Sequence, residues 1–141
     1  MDAIKTYRQW CADFADDRET AVELKSIEND PTEIEDRFYR DLEFGTAGMR
    51  GVLGAGTNRM NKYNVRRVTR ALAKYILSHP GGAEKGVAIA YDSRLMSDVF
   101  ARETALVLAA AGVKAHLFPS LRPVPVLSFT VRHLGCIAGV V

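Results

Sequence analysis

Apolar residues recur at helical spacing through the first forty positions of the chain. Ile4, Tyr7, Trp10, Cys11 and Phe14 fall three or four apart and predict an amphipathic helix, which Asp16-Asp17 interrupts before a second helical stretch from Glu19 to Ile27. Asn29-Asp30-Pro31-Thr32-Glu33 is a turn with proline placed for a first helical position, and it predicts a third short helix with Ile34 and Phe38 on its buried face. The pattern then changes. Leu42–Phe44 and Gly51–Gly56 predict two short strand-like stretches on either side of a glycine turn, and Asn58 to Lys62 predicts an exposed loop. Asn64 is placed to cap a helix from Val65 to Leu77 whose buried stripe is Val65, Val68, Leu72 and Ile76, with Ala73 beside it. Ser78-His79-Pro80-Gly81-Gly82 stops that helix.

From Gly86 to Tyr91 the chain is continuously apolar, as a central strand covered on both faces would be. Ser97 predicts the cap of a helix running to Ala110, with Gly112 as its stop. Val113 to Phe118 then reads as a strand, Pro123 to Leu134 as a helix and Cys136 to Val141 as a last strand. Strands alternating with helices of this length imply right-handed crossovers and a sheet with helices on both faces. The fold class expected is therefore α/β: a three-layer αβα domain with a mostly parallel mixed sheet, preceded by short N-terminal helices. Residues 1–40 form the helical segment and residues 41–141 the αβα domain. That domain is expected to be incomplete at its C-terminal end, because the apolar run Cys136–Val141 has no turn or polar cap after it.

Composition narrows the function. The chain has 141 residues, 48% of them hydrophobic and 26% charged, which suits one globular domain, and its formal net charge of +2 is too small for a nucleic-acid-binding stripe. Arg66, Arg67, Arg70 and Lys74 read as the solvated face of their helix, since only Tyr75 accompanies them. Cys11 and Cys136 form no Cys-x-x-Cys motif, and His79, His116 and His133 lack metal-ligand spacing, so no metal site is expected within the chain. A polar, acidic N-terminus and the lack of a long apolar run point to the cytoplasm and away from the membrane.

Two segments carry chemistry. In Asp41-Leu-Glu-Phe-Gly-Thr-Ala-Gly-Met-Arg-Gly51, glycines three apart let the backbone turn and approach a ligand, and Thr46 and Arg50 add a hydroxyl and a fixed cation. The segment reads either as an anion site or as a plain turn. It is not a Rossmann fingerprint or a Walker A loop, because no helix opens after Gly51 and Gly-Lys-Ser/Thr is absent. The second segment, Tyr91-Asp92-Ser93-Arg94, lies where a strand ends. There Asp92 and Ser93 either cap the chain with Arg94 in solvent, or Arg94 joins Arg50 on a shared phosphate.

The order of these motifs resembles the N-terminal domain of the alpha-D-phosphohexomutase superfamily, most closely its phosphoglucomutase branch. The resemblance rests on Phe44-Gly-Thr-Ala-Gly-Met-Arg-Gly51, Tyr91-Asp-Ser-Arg94, and Pro123-Val-Pro-Val-Leu-Ser-Phe129 followed by Gly135-Cys-Ile-Ala-Gly-Val-Val141. In the third motif Val124-Pro125 stands where the family commonly has Thr-Pro. The resemblance implies an intramolecular phosphotransferase that interconverts hexose 1-phosphate and hexose 6-phosphate through a phosphoserine and a bisphosphate intermediate. It further implies Mg²⁺ held by a second domain, and glucose 1,6-bisphosphate as activator and intermediate. By resemblance Arg50 is the catalytic residue, and Gly45, Thr46, Gly48, Arg50, Asp92 and Arg94 bind substrate phosphate. The family continues after Gly-Val-Val into a Thr-Ala-Ser-His-Asn-Pro loop that bears the phosphoserine, so the present residues are expected to be inactive alone. The other readings are a free-standing flavodoxin-like nucleotide- or phosphate-binding module, and self-association through the strand Cys136–Val141.

Overall fold

In the computed structural model, which describes residues 2–46 and 48–141, the chain forms two compact units, residues 1–64 and 65–141. The first begins with helices α1 (Ala3–Asp13), α2 (Arg18–Ser26) and α3 (Pro31–Phe38). Asp2 and Asp30 cap the first and third, each accepting a backbone N–H at 3.0 Å, and Pro31 occupies a first-turn position where its missing N–H costs nothing. Ala3, Tyr7 and Trp10 form the buried stripe of α1, while Ile4 is half exposed. They pack on Leu24, Ile27, Ile34, Phe38 and Ala55. Trp10 meets Phe14, Phe38 and Tyr63 edge-on, with ring centroids 4.9 to 5.7 Å apart, an arrangement the aromatic quadrupole favours. The Tyr7 hydroxyl donates to the Leu24 carbonyl at 2.9 Å, and desolvation, with Cys11 and Glu28 adding, pushes its pKa up to about 12.

Strands β1 (Phe44–Gly45) and β2 (Gly48–Met49) follow as an antiparallel hairpin. The second strand thus lies inside the glycine segment, and the expected strand-like stretch Gly51–Gly56 is a loop. Its backbone is turned on itself: Met60 N–H bonds the Val52 carbonyl at 2.8 Å and Gly54 N–H the Met60 carbonyl at 3.1 Å, leaving only an isolated bridge between Leu53 and Met60. Asn58–Lys62 is not the exposed loop expected either. Arg59 is buried because its guanidinium pairs with Asp36 at 2.5 Å, a partner 23 residues away.

Helix α4 (Lys62–Leu77) starts three residues earlier than the pattern implies. Asn61 is its cap, accepting the Asn64 N–H at 3.0 Å, and Asn64 is buried instead. Between α1 and α2, Asp17 accepts from Lys62 at 2.5 Å, from Tyr63, and from Thr20 at 2.9 Å, which holds its carboxyl far below the usual range.

In the second unit, α5 (Gly82–Lys85) is a short turn of helix that the pattern does not signal, and β3 (Val87–Ile89) follows it. Then come α6 (Ser97–Ala110), β4 (Ala115–Leu117), α7 (Val124–His133) and β5 (Ala138–Val140). The strands are ordered β4-β3-β5 and run parallel throughout, with Ala88 opposite both His116 and Gly139, so antiparallel pairing is confined to the separate β1–β2 ribbon. Strand periodicity divides β3 between two layers. Val87 and Ile89 pack with Ala73, Ile76, Ala101 and Leu108, and Ala88 and Ala90 pack with Leu127. This is why the run reads as continuously apolar: both faces are covered, by α4 and α6 on one side and α7 on the other. Helix α6 is capped differently from the expectation. Met96 is its N-cap, in the left-handed conformation with φ of +66°, while the Ser97 hydroxyl turns back to accept the Asp92 N–H at 3.2 Å.

Candidate functional site

The glycine segment folds as a tight hairpin with Phe44 opposite Met49 and Gly45 opposite Gly48. Thr46 is exposed in the turn, Gly48 has φ of +101°, and Ala47 lies outside the described residues. Gly51 lies against Leu42: a Cβ there would meet Leu42 Cδ1 at 2.8 Å, so a side chain would require Leu42 to shift. The chain leaving the hairpin therefore presses on the chain entering it. Arg50 follows β2 directly and is exposed, and among the described residues it has neither a hydrogen bond nor an ion pair. It is a bare guanidinium fork beside a glycine turn, suited to two oxygens of one phosphate.

The strand-end segment is in a different electrostatic state. Asp92 Oδ1 accepts the Arg94 backbone N–H at 3.0 Å, and Oδ2 accepts the Arg94 side chain from Nε at 2.8 Å and Nη2 at 2.7 Å. Those hydrogen bonds from Arg94 hold the Asp92 carboxyl at about 2 and raise Arg94 in turn. An anion reaching Arg94 meets a neutralised pair and must compete with Asp92. At Arg50 it meets an uncompensated cation.

One further group at this end of the sheet escapes the motif reading. Because the strands are parallel, the segment after β4 emerges at the same end as Asp92–Arg94, and the Arg122 N–H bonds the Tyr91 carbonyl at 3.0 Å. The Arg122 side chain donates to Ser120 Oγ at 2.6 Å and to the Leu121 carbonyl at 2.9 Å. Ser120-Leu121-Arg122 after a predicted strand occupies the position that drew attention to Asp92–Arg94, so the same rule would have found it. Elsewhere, Arg66 forks onto Glu103 of α6 at 2.5 and 2.9 Å, which makes it a packing contact of its helix pair. Among the described residues no three His, Cys, Asp or Glu side chains are grouped to hold a metal ion, and no helix is long and apolar enough to cross a membrane.

Residues 41–141 match the family described as phosphoglucomutase/phosphomannomutase, alpha/beta/alpha domain I. The chain is 41% identical over 103 residues to a phosphoglucomutase of Staphylococcus saprophyticus and 41% identical over 100 residues to a probable phosphoribomutase of Schizosaccharomyces pombe. It is 32% identical over 127 residues to a phosphopentomutase of Homo sapiens. These alignments cover 73%, 70% and 85% of this chain but 18%, 17% and 21% of the relatives, so the chain spans about a fifth of the length of the curated relatives it matches. No solved structure matches it. With a hairpin motif, a parallel αβα sheet and a family match that runs over both, the chain belongs to the phosphoglucomutase/phosphomannomutase domain I family.

Proposed function

We propose that the chain serves as the first domain of a cytoplasmic phosphomutase that interconverts hexose 1-phosphate and hexose 6-phosphate, and that Arg50 binds the phosphoryl group in transit. The observation that carries this reading is the exposed Arg50 fork at the foot of the glycine hairpin, without an ion-pair partner among the described residues. Phosphoryl transfer is governed by positioning and by stabilising charge spread over the phosphate oxygens, so a fixed cation contributes without giving or taking a proton. Gly45, Thr46 and Gly48 shape the turn, and Asp92 and Arg94 bind phosphate more weakly in this reading, because Asp92 already neutralises Arg94. The serines of the chain include none in a Ser-His-Asn-Pro run, so the 141 residues lack the group that would carry the phosphoryl. Among the described residues no three His, Cys, Asp or Glu side chains are grouped for Mg²⁺, and in this reading Mg²⁺ and the bisphosphate intermediate are held by another domain. A pentose phosphate is the second reading of the substrate, favoured by the relatives named phosphoribomutase and phosphopentomutase.

Two measurements test this. Titrating the ¹⁵N-labelled chain with inorganic phosphate should shift the amides of Gly45, Thr46, Gly48 and Arg50, and Arg50→Ala should abolish the shifts; shifts that survive the substitution refute the role. In the longer protein that bears this domain, Arg50→Ala should lower kcat about a hundredfold, as loss of a preorganised charge stabiliser does. Comparing glucose 1-phosphate with ribose 1-phosphate as substrates there decides between hexose and pentose.

A further inference from the structure

We propose that Arg37 and Asn64 are positioning residues for Arg50, a role that rests on the reading of Arg50 as a phosphate ligand. The hairpin cannot orient Arg50 by itself. Its strands are two residues each, and even a full-length isolated hairpin is marginal in water. What holds it is the anchorage of its two stems, and both stems go to one loop. On the entry side the Leu42 N–H bonds the Thr57 carbonyl at 2.8 Å. On the exit side Val52 and Gly54 bond Met60 at 2.8 and 3.1 Å.

That loop has no ladder of its own, so side chains satisfy its backbone. Arg37 Nη1 donates to the Ala55 carbonyl at 3.2 Å and to Glu23 Oε1 at 2.5 Å, while the same Glu23 oxygen accepts the Ala55 N–H at 3.0 Å. Both ends of one residue's backbone are thus gripped by one ion pair. Arg37 Nε is fixed on Glu33 at 2.7 Å, and the Arg37 carbonyl accepts the Asn58 N–H at 2.9 Å. Gly56 runs so close that a Cβ there would lie 2.8 Å from the Arg37 carbonyl oxygen. From the opposite direction the Asn64 amide donates to the carbonyls of Gly56, Thr57 and Arg59 at 3.0, 3.1 and 2.7 Å, with only 3% of the residue exposed. Thr57, whose carbonyl anchors the entry stem, is therefore held by Asn64.

A half-buried ion pair is weak as bulk stabilisation, because desolvation and solvent screening offset most of its attraction. Donors and acceptors aimed at particular loop carbonyls do something apolar residues cannot, which is to fix one loop geometry. The consequence for function is that helices α2 and α3, remote in sequence from the glycine motif, set where its arginine stands.

The test reads the stems and the site separately in the ¹⁵N-labelled chain. Arg37→Ala should speed hydrogen exchange at the Leu42, Gly54 and Met60 amides at least about tenfold, leave Val87 and Ala88 protected, and lower the heteronuclear NOE at Gly48, Met49 and Arg50. Arg37→Lys, which keeps the charge but not the fork, should restore part of the protection, and Asn64→Ala should reproduce the effect from the other side. Should Arg37→Ala unfold the first unit, seen as loss of the native Trp10 fluorescence, Asn64→Ala carries the comparison. Wild-type exchange and NOE values in a folded Asn64→Ala or Arg37→Ala chain overturn the proposal. A parallel phosphate titration should show the Arg50 shift weakened at least threefold in both variants; undiminished affinity with loosened stems also overturns it. If the unsubstituted chain shows no phosphate shift at all, the phosphate reading of Arg50 fails, and the exchange and NOE values still decide whether Arg37 and Asn64 hold the hairpin.

Discussion

The two candidate arginines differ at the scale of single residues in what has already claimed their charge. Arg94 is taken by Asp92, two positions away, through an Asx-type turn that uses both carboxylate oxygens. The sequence shows that a strand ends there, but whether the aspartate turns onto its own arginine is a choice of local backbone angles that residue identity does not settle. The pair predicts a titration. Arg94 depresses the Asp92 carboxyl from its ordinary 3.8 to about 2, so the contact is complete above pH 3.8 and is lost as the pH falls toward 2. Following the Asp92 side-chain carbon by NMR should give a midpoint near 2 in the native chain and, in Arg94→Gln, one returning toward 3.8. A native midpoint at 3.8 would mean that the pair does not form in solution and that Arg94 is as available to phosphate as Arg50.

At the scale of elements, legibility followed whether an element's partners were local. Strand β3 is covered on both faces and reads as an unbroken apolar run; helices α1 and α3 carry their own caps and stripes. Asn58–Lys62 misled because polarity was read as exposure, whereas Arg59 is buried against Asp36 and no local pattern reveals so distant a partner. Asn61 and Asn64 are both chemically able to cap, and only the carbonyls converging on Asn64 decide between them. The end of α6 was readable because its glycine is required. The Gly112 N–H bonds the Ala109 carbonyl at 3.0 Å and the Val113 N–H the Leu108 carbonyl at 2.9 Å, closing the helix with Gly112 at φ of +79° while Leu108 and Val113 share the core. No heavy atom lies within 4 Å of a Cβ built there, so Gly112→Ala isolates the backbone penalty of the left-handed conformation. It should cost about 1 kcal/mol. Urea titration followed at the Val87 and Ala88 amides measures the loss, and an unmoved midpoint would show that this closure is not what ends the helix.

For the whole molecule, the apolar core of residues 1–64 includes Ala55 with Trp10 and Phe38, so the helical segment and the loop behind the glycine motif fold as one body. In residues 65–141 the sheet has two outer strands of unequal character. Strand β4 is flanked by Lys114 and contains His116, the kind of charge that discourages strand addition, whereas β5 is Ala-Gly-Val and is followed by half-exposed Val141. Among the described strands β5 pairs only with β3, and at the end of the sheet to which it leads, Leu95, Leu121 and Val124 are also exposed. We propose that these 141 residues on their own self-associate through this uncharged edge, β5 pairing to β5 about a two-fold axis. Sedimentation velocity over an about hundredfold dilution should then show a monomer–dimer equilibrium that shifts with concentration. Val141→Lys places a charge on the exposed rim without touching a core position and should move that equilibrium to monomer. A chain that stays monomeric at the highest concentration, or a dimer indifferent to Val141→Lys, would show that the β5 edge does not recruit a second copy.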